Sequence, residues 1–513
     1  MPVPSPRPPL ARGTLAALVA AKLAIHVGAL LTTPYGFHRD EFLYFAMGER
    51  LRLWRMDFPP AIALLARGVR ALLGDSLLAI HLVPLLAGTA VLALAVLVAR
   101  ELGGARFAQG LAGVCVLASP LFLRTTYLFQ PVVLDQLCWT AGLYALVRLA
   151  RTRDPRWWLA LGVALGLGLL TKFSIAFFGA AVLVAMLATA ERRSLATRWP
   201  WLAALIAIVI GSPSLVGQLR LGFPVVGYSR ELQAQQLVHV SGFSFFAGQL
   251  GLGPAVAVAL AGLVWLLFAH DARPFRVVGW SCLAAFAILA LLHGKPYYVG
   301  PVYPTLFAAG AVWLERVTAT ATRGSRLAAR WSAAGLVVAY GLALLPIGLP
   351  ILPPPRMARY ASAMGLTGAL RTNTGEVDAL PQDYADMLGW EEMVAGVARV
   401  YDSLSPDERR RAVIVAGNYG EAGALDFYGP RHGLPRAVSP AGTYWFFGPG
   451  DRPGEVVVAF GVPPEELGRF FGEVTPVAHV GIPWAVSEER RVPISIGRRP
   501  ARTLQAIWPS LRD

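Results

Sequence analysis

Tyr35-Gly36-Phe37-His38-Arg39-Asp40-Glu41-Phe42-Leu43-Tyr44 crowds an imidazole, an arginine and two adjacent acids among aromatic rings, and Asp57-Phe58-Pro59-Pro60 follows shortly after. The stretch from Tyr35 to Pro60 lies between two long apolar runs, 14–33 and 77–99. Side-by-side carboxylates repel each other and resist desolvation, so next to apolar segments they mark a candidate site. Outward from this stretch, apolar runs recur at 107–122, 132–149, 157–170, 175–190, 200–217, 252–269, 277–292, 299–314 and 332–351. About 20 apolar residues cross about 30 Å of hydrocarbon. The eleven runs predict a polytopic α-helical membrane protein, with 157–170 and 175–190 short enough for a hairpin that enters only partway.

The totals agree. Of 513 residues 55% are hydrophobic and only 15% charged, with a mean hydropathy of +0.53; a soluble chain of this length carries more charge. Arg7 and Arg12 before the first run resemble the start of a signal peptide, but the run is too long for one, so it is read as an uncleaved helix. Residues 1–351 hold 29 Lys and Arg against 12 Asp and Glu (net +17), and residues 352–513 hold 17 against 19 (net −2). The basicity therefore belongs to the membrane loops and calls for no nucleic acid partner. With a cytoplasmic N-terminus, inner loops carry seventeen basic residues and the outer connections after the first carry five, which satisfies the positive-inside rule. The first outer loop, 34–76, breaks it with six arginines, which suggests other work for them. Cys115, Cys138 and Cys282 fall inside apolar runs and read as packing thiols.

Within that loop two amphipathic helices are expected along the interface. One begins near Asp40 and runs to Met47, with Phe42 and Phe45 inward. The other follows Pro60 with a stripe of Ile62, Leu65, Ala66, Val69, Leu72 and Leu73, and stops at Gly74. After Pro353-Pro354-Pro355 the composition becomes that of a soluble domain. Strands are predicted at 411–417 and 455–461, a helix opens at Pro463-Pro464, and 477–482 reads as a further strand, giving a small α/β domain over 352–513. An odd helix count places it outside.

The order of these parts resembles a known family. Arg39-Asp40-Glu41 after the first helix, Asp57-Phe58-Pro59-Pro60, Gly74-Asp75-Ser76-Leu77 and Ala99-Arg100-Glu101-Leu102-Gly103-Gly104 are similar to the bacterial branch of glycosyltransferase family 39. That branch is related to protein mannosyltransferases and to the aminoarabinose transferase of lipid A. Gly294-Lys295-Pro296-Tyr297-Tyr298, and Asn418 to Ala424 with Tyr428-Gly429-Pro430-Arg431, resemble its later motifs. The resemblance implies the GT-C fold, a sugar donor carried on polyprenyl phosphate, and a first-loop aspartate as catalytic base, which maps to Asp40. Relatives acting on lipid A have a lysine before the paired prolines; Phe58 stands there in this chain.

An inverting transfer needs a base for the acceptor hydroxyl and cations for the departing phosphate. Asp40 is the candidate base; its plainer reading is a helix N-cap, and the two are compatible. Glu41 is a candidate for orienting the acceptor or binding a divalent cation, against a solvated charge at a helix start. Lys295, beside Tyr297 and Tyr298, and Lys172 are candidate phosphate ligands, against lysines that snorkel to headgroups. Arg39 is a second cation, or a ligand for anionic lipid. Asp57 either contacts sugar hydroxyls or braces its turn. His38 either donates to phosphate, holds a metal or is structural, and no metal-ligand spacing accompanies it. Asp135 and Gln130 sit near the outer end of the fourth run, and Lys22 and His26 lie four apart in the first. Tyr419-Gly420-Glu421-Ala422-Gly423 lacks a nucleotide-binding pattern, and its glycines suit a strand-to-helix turn.

The expected function is sugar transfer from a polyprenyl-phosphate donor to a lipid, glycan or protein acceptor outside the plasma (inner) membrane. A transporter or lipid flippase is the alternative, although it predicts acids near the bilayer midplane rather than in one outer loop. A non-catalytic scaffold would leave Asp40 expendable.

Overall fold

A computed structural model describes residues 7–512. Each of the eleven apolar stretches is helical over most of its length. The helices are α1 (Arg12–Thr32), α2 (Arg39–Glu49), α3 (Ala61–Leu73), α4 (Leu77–Glu101), α5 (Arg106–Ala118), α6 (Pro120–Thr125), α7 (Pro131–Thr152), α8 (Trp157–Thr171), α9 (Ile175–Ala188), α10 (Arg198–Arg220), α11 (Pro224–Gln235), α12 (Gly242–Ala247), α13 (Ala255–Phe268), α14 (Arg276–Leu291), α15 (Tyr303–Val317) and α16 (Arg323–Ala343). By length and composition five described helices can cross a membrane, or seven if two pairs bent by 108° and 109° each count as one span. The 13-residue α5 rises only about 20 Å, and Ser119-Pro120 separates it from α6. The expected hairpin of α8 on α9 does not form as a pair: α8 packs mainly along α10, and α9 along α14.

Small residues let these helices approach closely, as van der Waals packing between spans requires. At Gly310 of α15 a Cβ would stand 1.8 Å from the carbonyl oxygen of Val258 in α13, so only glycine fits that crossing.

The two ends of the bundle differ in chemistry. At one end arginines close the helix termini. Buried Glu101 is held by Arg7 and by Arg148 at 3.0 Å, Arg153 pairs with Glu191, and Arg316 pairs with Asp271. Glu315 there accepts the N–H groups of Ala105 (2.6 Å) and Ala108 (3.1 Å) at the start of α5. The other end carries α2, α3, Lys172, Lys295 and the C-terminal sheet.

That sheet has five strands, β1 (Ala412–Ala416), β2 (Ala437–Val438), β3 (Val456–Phe460), β4 (Phe471–Val480) and β5 (Val492–Pro500), in the order β2-β1-β3-β5-β4. The β1–β2 and β1–β3 pairs are parallel, and β5 runs antiparallel to both β3 and β4. The predicted strands at 411–417 and 455–461 are β1 and β3; the stretch predicted at 477–482 is the end of a longer β4. One face of the sheet buries Val413, Val457 and Phe471 against Trp508.

The other face turns toward the first loop. Ile414, Val458 and Phe460 share one apolar cluster with Leu425, Trp390, Phe42, Phe45, Met47, Ile62 and Ala66. Phe427 packs at 5.2 Å from Phe37 and from Phe45 and 5.6 Å from Phe42, ring pairs worth about 0.5–1.5 kcal/mol each beyond their burial. The loop helices are therefore core elements shared with the C-terminal domain. The predicted stripe of α3 holds at Ile62, Ala66 and Val69 and fails at its end, where Leu72 is 83% exposed. Three of the six loop arginines bind acids: Arg50 reaches Asp426 at 2.7 Å, Arg70 reaches Glu49 (3.0 Å) and Asp75 (2.5 Å), and Arg39 approaches Asp386.

Helix 419–428 crosses α2 at backbone distance. A Cβ on Gly423 would lie 2.7 Å from Phe42 Cβ and 2.9 Å from its carbonyl carbon. These glycines serve a helix crossing rather than the expected turn. Gly423→Val should overpack this junction by about 1–3 kcal/mol and lower the melting temperature in detergent, whereas Gly324→Ala, with no neighbour within 4 Å, should leave it unchanged.

Candidate functional site

The site is built around the first turn of α2. His38, not Asp40, caps this helix. Its backbone is extended (φ −73°, ψ 147°) and its Nδ1 accepts the Asp40 N–H at 3.1 Å. Asp40 is the second helical residue, so its carboxylate is free of capping duty. Tyr419 donates its hydroxyl to Asp40 Oδ1 at 2.9 Å, and Gln130 donates Nε2 to Oδ2 at 3.1 Å. The side chain remains 28% exposed. Two donors from distant elements thus fix a carboxylate that still faces open space.

Glu41 has the opposite fate. It is fully buried and accepts the N–H of His38 (3.0 Å), the N–H of Phe129 (2.8 Å) and His81 Nε2 (3.0 Å). It contacts neither solvent nor an open pocket, so the expected roles of solvated charge, acceptor ligand and cation ligand are replaced by a structural one. One helical residue turns 100°, which sends neighbouring carboxylates to different surroundings.

Arg39 also departs from expectation. Its guanidinium lies over the Tyr419 ring at 5.1 Å and approaches Asp386 (3.8 Å) and Glu488 (4.0 Å). It binds the C-terminal region, not a lipid surface. His38 is 4% exposed; its Nε2 lies 3.6 Å from Asp386 Oδ2 and 4.0 Å from Asp383 Oδ1, and has no hydrogen-bond partner. It is therefore out of reach of a phosphate. Burial pushes its imidazole down, but Asp40, Asp386, Asp383 and Glu41 outweigh that and hold it above its ordinary value. Burial raises Asp386 to about 6 against the pull of His38 and Arg39. Burial acts the same way on Asp383, but Arg124, bound at 2.5 Å, and His38 bring it below the usual range.

The donor atoms of His38, Asp383 and Asp386 all lie within 4.8 Å of one another, close enough to share a cation. The donor set does not fit one. Nδ1 accepts a backbone N–H, so the neutral ring keeps its proton on Nε2, and Arg124 and Arg39 already face the two carboxylates.

Lys172 follows α8 and lies over Tyr298 (4.6 Å) and Tyr297 (6.0 Å); with Ser174 and Asp135 these side chains line one pocket. Asp135 accepts from Ser174 (2.8 Å) and Trp139 (3.0 Å). Lys295 donates to the carbonyl oxygens of Gln236 (2.6 Å) and Asn373 (2.5 Å), and burial lowers it to about 8. No carboxylate lies within 4 Å of either ammonium among the described residues. Asp57 braces the loop: its Oδ2 accepts from Thr443 at 2.7 Å and its carbonyl from Gln218 at 2.6 Å. Lys22 and His26 both bond the hydroxyl of Thr126, inside the bundle.

Sequence reasoning missed Tyr419, Asp383, Asp386, Arg124 and His81. Tyr419 is 379 residues from Asp40 along the chain, and no local pattern announces such a contact.

Comparison with known proteins bears on the fold and the family resemblance. The family model described as dolichyl-phosphate-mannose-protein mannosyltransferase matches residues 57–216. The chain is 26% identical over 292 residues to the lipid A galacturonosyltransferase RgtD of Rhizobium johnstonii, a match covering 54% of this chain and 60% of that protein. ArnT from Cupriavidus metallidurans bound to undecaprenyl phosphate superposes with a TM-score of 0.61 at 19% identity, over 94% of this chain and 98% of that one. The archaeal oligosaccharyltransferase AglB of Archaeoglobus fulgidus, in complex with an inhibitory peptide and a dolichol-phosphate, gives 0.51 at 12% identity over 87% and 69%. The GT-C-type helical fold with a C-terminal sheet is borne out, and the resemblance to GT-C glycosyltransferases is matched over residues 57–216; the expected count of eleven spans is not confirmed.

Replacing Glu41 tests the buried anchor. Glu41→Ala strands three donors, each costing about 1–3 kcal/mol, and should lower the detergent melting temperature by several degrees while Glu49→Ala, partly exposed at the far end of α2, changes it little.

Proposed function

We propose that this chain, a membrane protein of the GT-C glycosyltransferase fold, transfers a sugar from a polyprenyl-phosphate carrier to a hydroxyl acceptor, with Asp40 as general base. The observation that carries the proposal is the environment of Asp40. Tyr419 and Gln130 fix both its oxygens, yet it stays open to solvent. A carboxylate held in place and left accessible is suited to take a proton from an incoming hydroxyl. The hydroxyl oxygen then attacks the anomeric carbon opposite the phosphate, which inverts the configuration.

Lys172 and Lys295 carry the other half of the chemistry. Both are held by neutral groups, tyrosine rings for one and amide oxygens for the other. Among the described residues neither has a carboxylate within 4 Å, so both are free to meet the negative charge that grows on the departing phosphate. Tyr297 and Tyr298 flank that position. The resemblance to ArnT bound to undecaprenyl phosphate supports a lipid phosphate as the carrier. The acceptor is a lipid, glycan or protein outside the plasma membrane. The basic end of the bundle lies in the cytoplasm and the sheet domain on the opposite side, as the positive-inside rule favours.

Two measurements test this. With purified protein and labelled polyprenyl-phosphate sugar, Asp40→Asn should lower the transfer rate at least about 100-fold; undiminished transfer removes the base. Lys295, lowered to about 8 by burial, loses its charge as pH rises through that value. The KM for donor should therefore climb above pH 8 in the wild type, and the climb should vanish in Lys295→Arg, whose charge persists.

A further inference from the structure

With an acceptor bound on its exposed side, Asp40 would pass a newly taken proton most directly to a side chain that already lies close. Tyr419 and Gln130 each already donate to one of its oxygens. One titratable neighbour is His38, whose Nδ1 lies 3.9 Å from Asp40 Oδ2. Nδ1 is the unprotonated nitrogen, because it accepts the Asp40 N–H. On the far side of the ring Nε2 faces Asp386 and Asp383 at 3.6 and 4.0 Å, without a hydrogen-bond partner. Two carboxylates close to one ring nitrogen favour the charged imidazole electrostatically, while the opposite nitrogen faces the candidate base.

We propose that His38 takes over the proton that Asp40 removes from the acceptor, becoming an imidazolium clamped by Asp386 and Asp383. The inference rests on the reading of Asp40 as base. The acceptor O–H bond breaks and an O–H bond forms on Asp40 Oδ2. That bond then breaks as an N–H bond forms on His38 Nδ1, and the Asp40 N–H gives up its capping partner. Asp40 returns to a carboxylate while product is still bound, which opposes the reverse reaction. After product leaves, the imidazolium returns the same proton through Asp40 to water and the ring regains its starting tautomer. The 3.9 Å gap must close by about 1 Å for transfer, as catalytic hydrogen bonds often do when substrate is bound.

The charges around the ring suit this role. Asp40 and Glu41 face it from α2, Asp383 and Asp386 from the segment after Pro381, and Arg39 and Arg124 balance the two outer acids. Together the four acids hold the imidazole above its ordinary value, so it accepts a proton readily. Below that value the ring is already charged and cannot accept another. Turnover should therefore rise with pH through a midpoint above 6.5, the ordinary value for histidine.

The test is the pH profile of kcat for the full-length protein with labelled polyprenyl-phosphate sugar. His38→Asn keeps a side chain that caps helices well but cannot hold the proton. It should lower kcat about 10-fold or more, leave the KM for donor unchanged and erase the rise above pH 6.5. Asp386→Asn, which removes a counter-ion, should shift that midpoint downward. If Asp40→Asn is inactive while His38→Asn keeps the wild-type profile and kcat, the transfer to His38 is overturned and the base survives. If Asp40→Asn stays active, the base itself falls. Should His38→Asn fail to fold, Asp386→Asn decides: an unshifted midpoint overturns the proposal.

Discussion

Everything at the site depends on one buried anion. Glu41 has no water and collects donors from its own helix start, from α4 through His81 and from the turn before α7 at Phe129. A carboxylate in such surroundings is costly unless its oxygens are satisfied, and here they are. The arrangement locks the N-terminus of α2 to two membrane helices. Because Glu41 is locked, the preceding residue has a fixed direction, and Asp40 stays partly exposed.

The C-terminal domain completes the site rather than accompanying it. It provides Tyr419 to Asp40, while the segment leading into it provides Asp383 and Asp386 to Arg124, Arg39 and His38. The glycines of helix 419–428 make this possible by letting it meet α2 without side chains between the backbones. An aromatic cluster of Phe37, Phe42, Phe45 and Phe427 then seals the contact. The anchoring of Asp40 and the packing of the two regions are in this sense one structural problem.

Much of this was legible in the sequence, and the remainder was hidden for definite reasons. Apolar runs announce the bundle helices because crossing hydrocarbon leaves few alternatives. Buried strands such as β1 and β3 declare themselves as short β-branched runs between turn residues. The importance of Asp40 came from the resemblance of the surrounding motifs. What stayed hidden was which of two adjacent acids is buried, since helical rotation separates them only once α2 is docked. Tyr419 was hidden by distance along the chain, and Gly420 and Gly423 were read as a turn because a crossing partner leaves no local trace. His38 and Arg39 look like ligands for substrate in one dimension and prove to be partners of acids more than 340 residues onward.

The long separation between Asp40 and Tyr419 has a consequence for biosynthesis. The ribosome delivers α2 well before its sheet-side partner, 379 residues further along the chain. Until then Phe37, Phe42 and Phe45 lack their cover, and Asp40 lacks one of its two anchors. A half-made chain would therefore carry the aspartate but hold it loosely until helix 419–428 has emerged and folded back.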